Sequence, residues 1–415
     1  MISTLARVLV VLSGRPSYHC LVPLPTLHQA KTRRSFLHTI GCAGAAALAA
    51  PLMAPRNAKA AQALANDRLI VRSARPEDLE TPAHLLTSWI TPTELFYVRS
   101  HFYTPAIDAG AWTLVVDGEV DRPLELTLDD LTTAPSSVQV VTLECAGNGR
   151  AFFDPPVAGV QWEKGAVGTA AWGGIRMADV LARAGVKSTA RYVWLDGADR
   201  GVGRAPDFIR SLPIQKAMDS ATLLAYTMNG APLPVPHGFP LRAVVPGWEG
   251  AYSLKWLTHI RVSARDHDGP FVQTGYRRPR RPVEPGSVVD PSDTVPVREL
   301  PVKSLITSPV HGAVVPAGPV RIAGFAWVGD AEIRRVDVST DHGRTWTPAR
   351  LGRDRAPYAW RQFEHLWRPA DSGSHVVLSR ATDSRGRVQP IVGEWNPAGY
   401  LWNAVDQMRL TVAER

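Results

Sequence analysis

Cys145 is the residue around which chemistry could be built. It stands in Leu143-Glu-Cys145-Ala-Gly-Asn148-Gly-Arg150, where an apolar, β-branched run gives way to small residues. Ala146, Gly147 and Gly149 let the backbone turn sharply and let a bulky group come close. The guanidinium of Arg150 would favour an ionised thiol. The bland alternative is a buried, inert cysteine packed as a small hydrophobe. The chain holds three cysteines, and the other two, Cys20 and Cys42, lie near its start. A single thiolate cannot close a zinc or iron–sulfur site. What remains is a nucleophile, or a single-thiolate metal site completed by a cofactor's own sulfurs. A basic constellation accompanies the cysteine: Tyr97-Val-Arg99-Ser-His101 before it, and His237-Gly-Phe-Pro-Leu-Arg242 and Lys255 after it. Arginine offers two-pronged contact and lysine a point charge, which suits a buried phosphate or oxyanion. Taken singly, each of these residues reads equally well as a surface cation.

The elements that must position these residues fall into two regions. Thr113–Asp117 and Val138–Leu143 read as strands rich in β-branched residues. Ile175–Ala184 reads as an amphipathic helix, with Ile175, Ala178, Leu181 and Ala184 on one face and Gly185 as its C-cap. Leu241–Val245 and Leu257–Val262 are further strands. Residues 61–265 therefore predict an α+β catalytic domain. Residues 266–300 carry closely spaced prolines and a basic cluster of Arg277, Arg278, Arg280 and Arg281, which predicts an extended linker with little regular structure. Beyond it, Val320–Trp327, Ile333–Thr340, Tyr358–Trp367 and His375–Thr382 read as short strands punctuated by Asp- and Gly-rich turns. That spacing predicts an all-β sandwich of immunoglobulin type over residues 301–415.

The first 60 residues read as a leader. Thr32-Arg33-Arg34-Ser35-Phe36-Leu37 precedes an alanine-rich apolar run from Ile40 to Met53, and Ala58-Lys59-Ala60 supplies a signal-peptidase site. Paired arginines, a short apolar run and the A-x-A site predict export by the twin-arginine route and a periplasmic location. The run is too short for a membrane span, which takes about 20 residues. The leader holds seven basic residues and no Asp or Glu, so its removal takes the formal net charge from +8 to +1. The basic pI is therefore no evidence for nucleic-acid binding. Only Cys145 stays in the mature chain, so its stability cannot rest on internal disulfides.

Five blocks in order resemble those of the sulfite oxidase family: Phe96-Tyr-Val-Arg99-Ser-His101, Leu143 to Arg150, Leu224-Ala-Tyr-Thr-Met-Asn-Gly-Ala-Pro-Leu-Pro234, His237 to Gly247, and Ser253-Leu-Lys-Trp256. The resemblance implies a molybdenum–molybdopterin cofactor with Cys145 as the protein ligand to the metal. It implies that Tyr97, Arg99, His101, Asp199, His237, Arg242, Ser253 and Lys255 hold the pterin and its phosphate. Arg99, with Arg150, Trp162 and Tyr276, would face the substrate, Tyr276 coming from the linker. The implied reaction is oxygen-atom transfer converting sulfite to sulfate, with electrons passed to an external acceptor such as cytochrome c. The chain has no Cys-x-x-Cys-His motif, so no haem is expected in it. The sandwich would mediate a homodimer. Six tryptophans beyond Pro301, namely Trp327, Trp346, Trp360, Trp367, Trp395 and Trp402, exceed what so small a domain should bury, which agrees with an interface. Two departures matter. Animal members of the family carry an acidic residue immediately before the active-site tyrosine, and this chain has Gly275. Where the family has an Asn-Leu-Arg-Gly stretch whose arginine completes the anion pocket, this chain has Asn396-Pro-Ala398-Gly399. That leaves room for a sulfane dehydrogenase catalytic subunit acting on carrier-bound sulfur. A methionine-sulfoxide-type reductase would resemble only the first domain. From another class, a metal-free periplasmic binding or adhesion protein with an immunoglobulin-like module is the alternative.

Overall fold

In the first domain, β-branched and glycine-containing runs form two five-stranded sheets. The computed structural model describes residues 68–414; the expected leader, with Cys20, Cys42 and the paired arginines, lies outside them. One sheet runs Ala231–Pro232, Leu223–Met228, Val167–Arg176, Ser137–Glu144, with Arg242–Val244 also paired to Leu223–Met228. The other runs Leu124–Thr127, Thr113–Gly118, Leu257–Ser263, Tyr192–Gly197, Arg210–Pro213. Its one parallel pair is Thr113–Gly118 with Leu257–Ser263. Leu114, Val116, Val193, Leu195 and Ile260 form its core together with Val180 and Leu181 of the helix Met177–Ala184. That helix ends at Gly185, whose φ of 73° suits glycine. It starts two residues later than its apolar pattern suggested, because Ile175 and Arg176 finish the preceding strand opposite Leu224 and Leu223. A second core under the first sheet joins Phe96, Leu143, Trp162, Trp172 and Leu223.

The proline-rich segment is more ordered than its composition suggested. It contains a helical turn, Pro270–Gln273, and a ribbon pairing Arg277–Pro279 with Thr294–Pro296. It is also pinned inward, with Tyr276 and Val297 buried.

Two sheets then make the sandwich. Lys303–Ser308, Val320–Trp327, Arg361–Trp367 and Arg350–Leu351 form one. Ala313–Val315, Asp406–Val412, Gly373–Asp383, Ile333–Ser339 and Thr347–Pro348 form the other. Ile322, Val336, Phe363, Val377 and Leu410 fill the space between them. The strand Asp406–Val412 alternates buried and exposed residues along its length, as a strand with one face on a core must.

The sandwich packs on the first domain of its own chain. Leu86 and Val167 meet Leu305, Phe325, Trp327 and Trp360 in one apolar cluster. Trp89 and Trp360 each donate an indole N–H to the other's carbonyl, at 3.0 and 2.7 Å. Trp395 donates to the Pro155 carbonyl, and Trp402 packs 5.1 Å from Phe153. Four of the six tryptophans credited to a dimer interface are therefore used within one chain. Among the described residues no helix is long and apolar enough to cross a membrane.

Candidate active site

The strand Ser137–Glu144 delivers Cys145, whose N–H donates to the Ala166 carbonyl at 2.9 Å and extends the pairing by one residue. The chain then turns: Asn148 N–H donates to the Cys145 carbonyl, and Arg150 N–H to that of Gly147. A side chain is excluded at two positions of this turn. A Cβ on Gly147 would meet the Arg150 guanidinium at 2.6 Å, and one on Gly149 the Trp402 ring at 2.6 Å. The turn is fastened by Glu144, whose carboxylate accepts from Asn148 (2.8 Å), Lys303 (2.7 Å) and the Trp327 indole (2.7 Å). Lys303 and Trp327 belong to the sandwich.

A pocket opens beside the thiol. Tyr97, Arg99, His101, Cys145, Asp199, His237, Arg242, Ser253, Lys255 and Tyr276 line it together. Arg150 and Trp162 stand outside that lining. Arg150 lies behind the cysteine turn and donates to the carbonyls of Val160 (3.1 Å) and Ala398 (3.3 Å). Trp162 is fully buried, and its indole N–H finds no partner among the described residues.

Cations dominate the floor. Arg242, at the start of Arg242–Val244, donates to three carbonyls, of His237, Ala243 and Ser253, and rests over the Trp172 ring at 4.7 Å. Burial pulls its pKa down to about 10. Lys255 donates to the Ser100 hydroxyl and the Pro236 carbonyl, both at 2.9 Å. Burial first, then Arg242, lowers its pKa to about 7, with Asp199 acting against them. Burial, Lys255 and Arg242 hold His237 down at about 3, so its ring is neutral. Arg242 is met by neutral carbonyls rather than by a carboxylate. Lys255 hydrogen-bonds to neutral groups, while Asp199 and Asp78 offset only part of its neighbours' positive charge. A buried charge so poorly compensated is costly. A phosphate-bearing cofactor fits that donor set. Among the described residues no group of three His, Cys, Asp or Glu could hold a metal. A metal at Cys145 must therefore bring its other ligands with it, as a dithiolene cofactor does.

At the other end, Arg99 donates to Asp78 at 3.1 Å, and the Tyr276 hydroxyl lies 2.5 Å from His101 Nε2. His101 stacks on Phe208 at 3.6 Å and is kept neutral by burial and by Arg99, Arg210 and Lys255. In one tautomer its Nε2 accepts the tyrosine proton. Burial raises Tyr276 well above the ordinary phenol value, so it stays protonated. The expected ease of ionising Cys145 is not met by the protein alone. Burial raises its pKa, and Arg99 and then Arg150 offset only part of that rise. Arg210 and Glu249 were not foreseen. Glu249 lines the pocket, buried, 3.4 Å from the guanidinium of Arg210. That guanidinium is clamped between the rings of Tyr252 (4.2 Å) and Tyr276 (4.4 Å). A lone acid inside the apolar run Val244 to Leu254 was the available signal.

Residues 101–271 match the family model for the oxidoreductase molybdopterin binding domain, and 294–412 that for the Mo-co oxidoreductase dimerisation domain. The fold and pocket thus define a molybdopterin-binding oxidoreductase. Sulfite oxidase of Gallus gallus is 40% identical over 353 residues, 81% of this chain and 76% of that protein. Mitochondrial sulfite oxidase of Rattus norvegicus is 38% identical over 363 residues, 83% of this chain and 66% of its own length. The sulfane dehydrogenase SoxCD of Paracoccus pantotrophus matches in structure with a TM-score of 0.70 and 30% identity, covering 81% of this chain and 84% of that one. The chain belongs to the sulfite oxidase family.

Proposed function

We propose that this enzyme oxidises sulfite to sulfate in the periplasm, as a homodimer, passing electrons to a cytochrome c. The observation that carries the reading is the Cys145 thiol set beside a pocket whose Arg242 and Lys255 hydrogen-bond to neutral acceptors and are left with an excess of positive charge. Sulfite gains one oxygen, drawn ultimately from water, with release of two electrons and two protons; the molybdenum cofactor, when bound with Cys145 as its protein ligand, would supply that transfer, and the electrons would pass to the cytochrome. Tyr97, Arg99, His101, Asp199, His237, Arg242, Ser253 and Lys255, which line the pocket together, would hold the pterin and its phosphate, with Arg242 and Lys255 supplying positive charge. Arg99 and Arg150 bring positive charge to the substrate oxygens. Tyr276 keeps its proton at the hydroxyl, 2.5 Å from His101 Nε2, and is placed to donate it as a hydrogen bond.

One second reading has its own support: Ala398 stands where relatives carry a pocket arginine, and the SoxCD likeness extends over both domains. Carrier-bound sulfur would then be the substrate. The test is molybdenum content together with sulfite-dependent reduction of cytochrome c. About one metal per chain and rapid reduction are expected, with Cys145→Ser folded but inactive, because a neutral hydroxyl is a far weaker ligand than thiolate. A Ser variant with half the wild-type rate and a full cofactor load would remove Cys145 from the metal. Metal-loaded protein inactive on sulfite would favour the sulfane reading, and metal-free protein would leave a binding module.

A further inference from the structure

The stretch Asn396 to Asn403 replaces the family's third pocket arginine, and the structure shows what it brings instead. The ring of Tyr400 stacks on that of Tyr276, with centroids 5.5 Å apart and planes 10° from parallel. Its other neighbour is the Arg150 guanidinium, 5.2 Å from the ring centroid. One side chain therefore touches both a cation and the tyrosine assigned to the substrate end of the site.

The placement of Tyr400 is built rather than incidental. The Asn396 side chain is buried and closes a double bridge on the Tyr400 backbone, accepting its N–H at 3.0 Å and donating to its carbonyl at 2.9 Å. The next residue, Leu401, donates its N–H to the carbonyl of Ala146 at 2.7 Å, so the loop is bolted to the residue that follows Cys145. Gly399 lets the loop pass this close: a Cβ there would fall 2.4 Å from Val157 and 2.9 Å from Arg150. The Ala398 carbonyl accepts from Arg150 Nε at 3.3 Å.

We propose that Tyr400, delivered by the sandwich, is a positioning residue for the substrate anion site: its ring holds Arg150 and Tyr276 in fixed relation, which lets the pocket bind an oxyanion with one arginine fewer than its relatives. A guanidinium stacked on an aromatic face loses less freedom on binding an anion than a free one, and an ordered cation binds more tightly. The inference rests on Arg150 and Tyr276 facing the substrate.

The experiment compares holoenzyme with Tyr400→Leu and Tyr400→Phe, using inorganic sulfate as a probe that binds without turnover. Leucine removes the aromatic face, and sulfate affinity is expected to fall about tenfold, with KM for sulfite rising in step and kcat changing less. Phenylalanine keeps the ring and should remain near wild type in both measures. Molybdenum content is determined for each protein; if Tyr400→Leu fails to load the metal, Tyr400→Met, flexible and also without a ring, takes its place. Sulfate affinity and KM unchanged in the ring-less variant would overturn the proposal, as would a phenylalanine variant as impaired as leucine. Wild-type enzyme that binds no sulfate would overturn it too. Wild type that binds sulfate yet does not oxidise sulfite would sink the sulfite reading alone, since the sulfate comparison still decides the role of Tyr400.

Discussion

Arg242 and Lys255 are charged groups that the protein surrounds with carbonyls, a hydroxyl and aromatic faces. An anion arriving there would relieve the electrostatic cost of holding those charges away from water. His237 shows this most directly. Its folded pKa of about 3 lies below the ordinary 6.5, so between those values the unfolded chain binds a proton that the folded chain refuses. Its share of stability is complete above the ordinary value and is lost as pH falls toward the folded one; at about pH 5 the loss is about 2 kcal/mol. In cofactor-free protein, His237→Gln should flatten the fall in urea midpoint on acidification, and a slope identical to wild type would place the histidine elsewhere. Arg99 acts on the substrate instead. Arg99→Gln removes a charge-assisted contact worth about 1.5–3 kcal/mol, raising KM for sulfite and lowering turnover; unchanged kinetics would take Arg99 out of the pocket. Cys145 and the basic residues could be found in the sequence because each sits in a motif with its own local spacing. The Arg210–Glu249 pair could not, because its members are 39 residues apart and belong to different elements.

The element that displays Cys145 is held from both sides. Behind it, Glu144 and Lys303 form a buried pair, 4% and 9% exposed, tied to Asn148 and Trp327. Removing one partner of such a pair leaves an uncompensated charge, a loss of about 3–5 kcal/mol, whereas neutralising both costs less. Lys303→Met should therefore be strongly destabilised, and Lys303→Met with Glu144→Gln should recover part of the loss in chemical denaturation. A single variant as stable as wild type would show that the pair does not fasten the cysteine turn. The strand Val320–Trp327 was legible residue for residue, because seven of its eight side chains are buried and apolar or small. The helix was legible only in its later turns, since Ile175 serves the strand register and the helix pattern equally well. The linker was misjudged because the prolines that forbid a helix still permit the edge pairing of Arg277–Pro279 with Thr294–Pro296. None of the bonds from sandwich to cysteine turn leaves a local trace, the closest in sequence being separated by 155 residues.

At the scale of the whole molecule, the sandwich has two tasks. Within the chain it supplies Lys303, Trp327 and the Tyr400 loop to the cysteine turn, so the catalytic domain is incomplete without it. Between chains it is proposed to form a two-fold dimer, as the match of residues 294–412 to a dimerisation domain suggests. The tryptophan count no longer supports that dimer, because Trp327, Trp360, Trp395 and Trp402 are used at the seam. What the sandwich and its C-terminal loop still expose is aliphatic: Val314 at 72%, Leu366 at 57%, Ile391 at 53% and Val392 at 77%. Scattered apolar residues are ordinary on a surface, so exposure alone does not locate an interface. Light scattering at micromolar concentration should give twice the chain mass, and a monomer would sink the dimer. Truncation at Val302 should do more than abolish dimerisation. It uncovers Leu86, Trp89 and Val167, which pack on Leu305, Phe325 and Trp360, and it unpairs Glu144. The truncated chain should therefore be poorly soluble and inactive. A soluble, cofactor-loaded and active fragment of that length would show that the seam is dispensable and that the sandwich serves the partner chain alone.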